Sequence, residues 1–263
     1  MDDDLEALLR EGASVPVAGW DFSWFAGRAT EERPPWGYAR LLGERLGTAR
    51  AALDVQTGGG EVFREALSAA AAAGGGPARV AATESWPPNA ALARAALTPF
   101  AAEVAQVADD APLPFGDGAF DLVSCRHPTV VGWAEIGRVL APGGTYLAQH
   151  VGVGTAAAVT DFMMGPQPIG DGRSVARAVA GATAAGLEVA DVRTATLRME
   201  FFDVAAVAVY LRKVIWIVPE FSIEGYRDRL AAMHALIREE GSFVATTARY
   251  LIECRKPHGV DGW

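Results

Sequence analysis

The run Leu53-Asp54-Val55-Gln56-Thr57-Gly58-Gly59-Gly60-Glu61 constrains this chain more than any other feature. An apolar strand that ends in an acidic residue and turns through glycines into a helix is a nucleotide-binding arrangement. Glycines let the backbone approach a ligand with no Cβ in the way, and the exposed amides at the helix start favour a carboxylate or a phosphate. The spacing narrows the ligand. A dinucleotide fingerprint needs a small residue three positions after its second glycine, so that helix and strand can close up. Counted from Gly58 and Gly60, that position holds the bulky Phe63, which argues against NAD or FAD. No Lys-Ser/Thr pair follows the glycines, so a phosphate-cradling P-loop is also absent.

From Arg50 onward, apolar runs of strand length alternate with helical stretches, the pattern of a doubly wound parallel sheet. Strands are expected at 51–55, 79–83, 102–107, 120–124 and 144–150, the last entered through Ala141-Pro142-Gly143-Gly144, with helices at 61–72 and 88–97. Beyond Val151, helices are expected at 155–164 and 174–185. The segments 187–199 and 243–255 read as long strands able to pair antiparallel at the sheet edge, with two helices, 204–218 and 222–240, between them. The second helix opens with Ser222 and carries Ile223, Tyr226, Leu230, Met233 and Ile237 at helical spacing. The aromatic stretch 20–38, with its Pro34-Pro35 pair, reads as a cap and not a sheet strand, and a helix follows at 38–46. The expected organisation is an N-terminal cap over 1–49, a core over 50–200 and 242–257, and a helical lid over 201–241.

Two more acidic residues stand where an adenosine needs acceptors. Glu84 ends the second of these strands, placed for both ribose hydroxyls, as an acidic residue about 20 or more positions downstream is in related folds. Asp109, after the third, suits the adenine amino group. The run 53–61, Glu84, Asp109 with Leu113-Pro114-Phe115, then Phe120-Asp121-Leu122-Val123 and Arg138-Val139-Leu140-Ala141-Pro142-Gly143-Gly144 resembles the class I S-adenosylmethionine-dependent methyltransferases of the ubiquinone/menaquinone-biosynthesis type, the methyltransferase type 11 domain. The resemblance spans residues 50–152. It implies a mostly parallel, seven-stranded Rossmann-like α/β sheet with an antiparallel edge strand, N-terminal and late-insertion helical caps, and S-adenosyl-L-methionine as cofactor. It implies that Gly58 and Gly60 hold the methionine part, Glu84 the ribose and Asp109 the adenine. Asp54, Gln56, Thr57, Ser85, Asp110, Ser124 and Arg126 are further candidate cofactor contacts. Gln56 departs from the family pattern, which usually has glycine there; its side chain either points away or touches the methionine end.

Methyl transfer from a sulfonium is a direct displacement whose leaving group needs no acid, so the protein mainly aligns the nucleophile. A base is needed only where the acceptor must lose a proton near the transition state. His127, leaving the carboxyl end of the fourth expected strand, is the first candidate base, the alternative being a hydrogen bond to a loop carbonyl; His150, ending the fifth, is a weaker one. Trp24, Phe25, Trp36, Phe202, Tyr210 and Trp216 are candidates for an apolar, water-excluding acceptor pocket, or else packing residues of the caps. Arg28 is expected to pair locally with Glu31 or Glu32, the alternative being that it reaches the cofactor carboxylate.

A formal charge of −9 with no Lys/Arg-rich run disfavours a nucleic-acid substrate. Two cysteines are too few for a disulfide framework, and the acidic start is the opposite of a signal peptide's basic n-region. The apolar stretch 204–218 is interrupted by Arg212 and Lys213 and falls short of the roughly 20 residues a membrane span needs. A cytoplasmic protein with no membrane partner and no metal site is expected. The expected function is methyl transfer to a small apolar or aromatic molecule at oxygen, nitrogen or carbon; the alternative is a non-catalytic protein that binds S-adenosylmethionine for regulation.

Overall fold

Apolar runs bounded by glycine and proline turns become strands, and runs with helical spacing become the helices that cover them. The computed structural model describes residues 3–17 and 22–258, so Trp20 of the aromatic N-terminal stretch lies outside the described residues. In chain order the elements are α1 (Asp3–Ser14), β1 (Ala29–Glu31), α2 (Tyr38–Leu46), β2 (Ala51–Val55), α3 (Glu61–Ala72), β3 (Arg79–Glu84), α4 (Pro87–Leu97) and β4 (Glu103–Gln106). Then come β5 (Phe120–Arg126), α5 (Trp133–Val139), β6 (Leu140–Val151), α6 (Ala157–Met164), α7 (Val175–Ala184), β7 (Glu188–Phe201), α8 (Val204–Lys213), α9 (Arg227–Glu240) and β8 (Phe243–Arg255).

The hydrogen-bonded strand order is β1-β7-β8-β6-β5-β2-β3-β4. Strands β2 to β6 pair in parallel, β8 runs antiparallel to β6, and β1 runs antiparallel to β7. The sheet therefore has eight strands, one more than expected. The addition is β1, inside the stretch expected to hold no strand. Three residues are too few to show a period of two, and the pairing of Ala29, Thr30 and Glu31 with Phe201, Glu200 and Met199 supplies what local sequence does not.

The chain divides into two compact units, a sheet unit of Pro34–Gly152, Asp171–Ala195 and Arg249–Trp263, and a helical unit of Met1–Arg33, Val153–Gly170 and Thr196–Ala248. In the sheet unit, side-chain alternation sorts neighbours onto opposite faces. Leu53, Val123, Tyr146 and Ile252 join Phe120, Ile136 and Leu187 in one core cluster. Ala52, Leu122, Leu147 and Leu251 join Leu42, Phe63 and Leu97 in the other. After β4 the chain returns to β5 on the far side of β2, so strand order reverses between β2 and β5. In such sheets ligands bind outside the carboxyl ends of the strands at that switch point.

The helical unit is held by aliphatic packing. Val204 to Leu211 are all buried, so α8 is apolar all round, as a core helix should be. Its N-cap Asp203 accepts from the Ala206 amide at 2.8 Å. It ends at Lys213, short of the expected 218, where the Arg212 guanidinium reaches the carbonyls of Gly12 and Val15. Helix α1, which no periodic argument singled out, packs on α8. A Cβ on Gly12 would lie 3.2 Å from the Ala208 methyl, so a larger residue there would push the two helices apart by a few tenths of an ångström. Helix α9 begins at Arg227 and not at 222, because the Ser222 hydroxyl closes a tight turn by accepting from the Gly225 amide at 3.0 Å. Among the described residues, no helix is long and apolar enough to cross a membrane.

Candidate functional site

The glycine turn after β2 is built from left-handed backbone, with φ of 55° at Gln56, 64° at Gly58 and 82° at Gly60. At Gly60 a Cβ would stand 3.3 Å from Ala93 Cα and Leu97 Cγ, so a side chain there would drive α3 away from α4. The turn is tied to β3: the Thr57 amide donates to the Thr83 carbonyl at 2.9 Å and the Gln56 amide to Thr83 Oγ1 at 3.2 Å. Glu84, ending β3, turns inward. One carboxylate oxygen accepts from the Gly58 amide at 2.8 Å and the other from the Trp86 amide at 3.0 Å. Burial raises its pKa above the ordinary value, and the Trp86 and Gly58 amides oppose that rise. Ser85 follows it, half-buried.

Asp54 lies at 5 % exposure and pairs in register with Ser124 of β5, whose hydroxyl donates to it at 2.6 Å. Burial pushes its pKa up to about 6, against the Ser124 hydrogen bond and the charge of the exposed Arg126. Asp54 is thus poised near neutrality, and a cation beside it would draw the proton off. Thr57 Oγ1 is buried and makes no hydrogen bond of good geometry, although it lies near enough to Asp54 to favour the carboxylate.

Between the ends of β2 and β5 and helix α5 opens a cleft of about 350 Å³ including its mouth, lined by Val55, Gln56, Asp109, Leu113, Val131 and Ile136 among others. Gln56 neither points away nor stays free. Its Oε1 accepts from the Thr129 amide at 2.7 Å and the Thr129 hydroxyl at 3.1 Å, and its Nε2 donates to the Val130 carbonyl at 2.6 Å. The same Thr129 hydroxyl reaches Asp109 Oδ2 at 2.5 Å. Gln56 and Asp109 together strap the loop after β5 to the two strand ends. Asp110 is exposed beside them. Thr129 had no sequence signal, since a single hydroxyl in a loop carries no period or spacing.

His127 is in left-handed backbone, φ 60°, with its amide donating to the Gln149 carbonyl at 2.7 Å. Its Nε2 lies 2.9 Å from Gln149 Nε2, and Gln149 Oε1 accepts from Trp36 Nε1 at 2.8 Å. Burial lowers its pKa well below the imidazole range, and the charges of Arg126 and Arg249 and the neighbouring His150 add to the effect. His150, on the opposite face of β6, sits in an aromatic nest. Tyr250 stacks on it at 4.7 Å with a hydroxyl 3.0 Å from Nδ1, and Trp133 stacks at 6.4 Å. Burial pushes His150 down to about 4.

The six aromatic candidates are divided between the units. Trp36 is in the sheet unit at 4 % exposure; Phe25 and Tyr210 belong to the core of the helical unit, against which Trp24 packs. Phe202 and Trp216 of the helical unit remain exposed. Arg28 pairs with Glu11 at 2.7 Å and Asp203 at 3.4 Å, and stacks over Trp24 at 4.6 Å. The expected partners are engaged elsewhere: Glu31 accepts from the Thr247 hydroxyl and Glu32 from the Arg198 amide.

Residues 53–148 match the methyltransferase domain family. Among solved structures, the fold resembles a candidate methyltransferase from Bacillus halodurans C-125, with TM-score 0.57 and 17 % identity over 83 % of this chain and 98 % of that one. The YcgJ protein of Bacillus subtilis gives TM-score 0.57 and 15 % identity over 84 % and 99 %. A phosphoethanolamine N-methyltransferase from Haemonchus contortus, solved with phosphomonomethylethanolamine and S-adenosylhomocysteine, gives 0.50 and 17 % over 85 % and 53 %. At these identities the likeness speaks for the fold. No curated protein matches the sequence.

Proposed function

We propose that this chain, whose residues 53–148 match the methyltransferase domain family, is an S-adenosylmethionine-dependent methyltransferase whose acceptor is a small apolar or aromatic molecule. One observation carries the reading: acidic side chains at or just beyond the ends of three adjacent parallel strands, Asp54, Glu84 and Asp109, stand around a glycine turn where a side chain at Gly60 would be crowded and strained. The donor set fits the cofactor. Thr57 Oγ1 is a buried polar atom still lacking a well-formed hydrogen bond, and the turn's amides at the start of α3 suit a carboxylate. Glu84 offers charged acceptors to vicinal hydroxyls, and Asp109 suits an amino group once Thr129 lets go. Asp54, near its pKa, suits a positive charge.

The cofactor supplies a methyl group on a sulfonium, an activated donor that leaves as a neutral thioether. The residues of the sheet unit hold it in place, and alignment supplies much of the rate. A formal charge of −9 fits a small molecule better than a polyanion.

The test is methyl-labelled S-adenosylmethionine offered with a panel of quinones, phenols, aromatic amines and lipids, and with RNA. Label entering a small organic acceptor supports the proposal. Label entering RNA alone overturns the acceptor class, and cofactor that is bound but never consumed favours the non-catalytic alternative.

A further inference from the structure

We propose that Trp36 and Gln149 hold His127 in the tautomer with its proton on Nδ1, so that His127 donates a hydrogen bond to a carbonyl or anionic oxygen of the methyl acceptor and does not act as a base. The tautomer follows from geometry alone; the acceptor half rests on the function proposed above.

An indole N–H only donates, so the Gln149 atom 2.8 Å from Trp36 Nε1 is its carbonyl oxygen. That leaves the amide NH2 facing His127 Nε2 at 2.9 Å. An NH2 group only donates, so Nε2 accepts, and the proton of the neutral ring sits on Nδ1. A protonated ring would set two donors against each other. Arg126, Arg249 and His150 all act electrostatically on the ring, His150 from the other face of β6, and the two arginines add positive charge that keeps it neutral. Both Trp36 and Gln149 are buried, at 4 % and 3 % exposure, so water does not compete for the relay.

The main chain points the same way. The left-handed φ of 60° costs a residue with a Cβ about 1–2 kcal/mol, and the 2.7 Å bond from the His127 amide to the Gln149 carbonyl holds it there. Side chain and backbone are thus both fastened to β6, while Nδ1 has no hydrogen-bond partner among the described residues. His127 follows directly on the carboxyl end of β5, at the switch point where ligands bind in this fold. A fixed N–H beside the Arg126 charge selects an oxygen with lone pairs to spare: a carboxylate, a phenolate or a ketone.

Two arms test this. In ligand-free protein labelled with 15N-histidine, long-range 15N–1H correlation should show His127 as the Nδ1–H tautomer from pH 5 to 8. Gln149→Glu, which puts an acceptor where the donor was, should move the proton to Nε2 and bring the ring into titration. In the enzyme, His127→Ala should raise the acceptor KM about tenfold or more, the loss of one strong hydrogen bond. His127→Asn, which keeps an N–H donor and tolerates left-handed backbone, should restore most of it with kcat little changed. S-adenosylhomocysteine affinity should stay level throughout.

An Nε2–H tautomer in the wild type would overturn the proposal. So would a kcat profile whose single ionisation vanishes in His127→Asn, since that is a base. A drop in S-adenosylhomocysteine affinity with acceptor KM unmoved would assign the oxygen to the cofactor and overturn the acceptor. Absence of any methyl transfer would remove the function proposed above while the resonance experiment still decides the tautomer.

Discussion

In the sheet unit most of the buried polar side chains gather at strand ends: Asp54 against Ser124, Glu84 against the Gly58 and Trp86 amides, Gln149 between Trp36 and His127. In the helical unit the buried side chains are mostly aliphatic, as along Val204 to Val209, and among the described residues its buried polar ones are His234 and Thr247. Burying a polar group costs about 1–3 kcal/mol unless its hydrogen bonds are replaced. A unit that keeps several such groups at one rim of one sheet offers a ligand fixed polar partners there, and a change at that rim is felt by binding as well as by packing. A unit filled with Val, Ala, Leu and Met is constrained mainly by volume, and volume can be met in many ways.

That contrast can be broken most forcefully at Glu84. Glu84→Gln should weaken S-adenosylhomocysteine binding about 100-fold or more by calorimetry, because charged hydrogen bonds to hydroxyls are worth about 1.5–3 kcal/mol each. It should also lower Tm, since one amide hydrogen then faces a backbone N–H. Undiminished binding would deprive the strand-end carboxylates of their role.

Asp54 comes next. Its folded pKa of about 6 lies above the unfolded value, so its stabilising effect is complete below about pH 4 and is lost as pH rises through 6. Asp54→Asn should therefore raise Tm at pH 8, by an amount equivalent to about 2–3 kcal/mol at most, while weakening S-adenosylhomocysteine binding about tenfold. In the wild type, binding should strengthen between pH 5 and 7 as the carboxylate forms. A Tm at pH 8 equal to or below that of the wild type would mean that the carboxyl is not held against its charge.

Gln56→Gly should unfasten the loop after β5 and speed cofactor association several-fold, with stability nearly unchanged, because relief of left-handed backbone offsets lost exposed hydrogen bonds of about 1 kcal/mol each. Stopped-flow association rates equal to those of the wild type would show that the Gln56–Thr129 strap does not gate the cleft. The smallest effect belongs to the helical unit. Trp216→Ala and Phe202→Ala should leave S-adenosylhomocysteine affinity unaltered and stability within about 0.5 kcal/mol, with any loss confined to acceptor turnover.

The same contrast governs how much could be read before any fold was known. The segment from β2 through the turn to α3 was legible because close backbone approach demands glycine and the strand end demands an acid; the strands from β2 to β6 followed from runs of apolar residues between turns. Asp54, Glu84 and Asp109 come to adjacent strand ends for the same reason. Three kinds of feature stayed hidden. β1 is too short to have a period and borrows its conformation from β7. Helix α1 did carry a signal, acidic residues in its first turn and Leu5, Leu8 and Leu9 at helical spacing, but such a pattern says nothing about α8 as its partner. The relays through Thr129 and Gln149 join residues far apart in sequence, and no local rule reports them. Aromatic content likewise could not separate Phe25 and Tyr210, which fill a core, from Phe202 and Trp216, which stay on the surface.

The most direct measurement is an amide-resonance titration of the whole chain with S-adenosylhomocysteine. If the cofactor lies at the strand ends of the sheet unit, the large shifts fall at Gly58, Gly60, Glu84, Asp109 and Thr129, with the Thr129 amide losing the signature of its bond to Gln56. Shifts confined to residues such as Phe202 and Trp216, or none at saturating ligand, would contradict it.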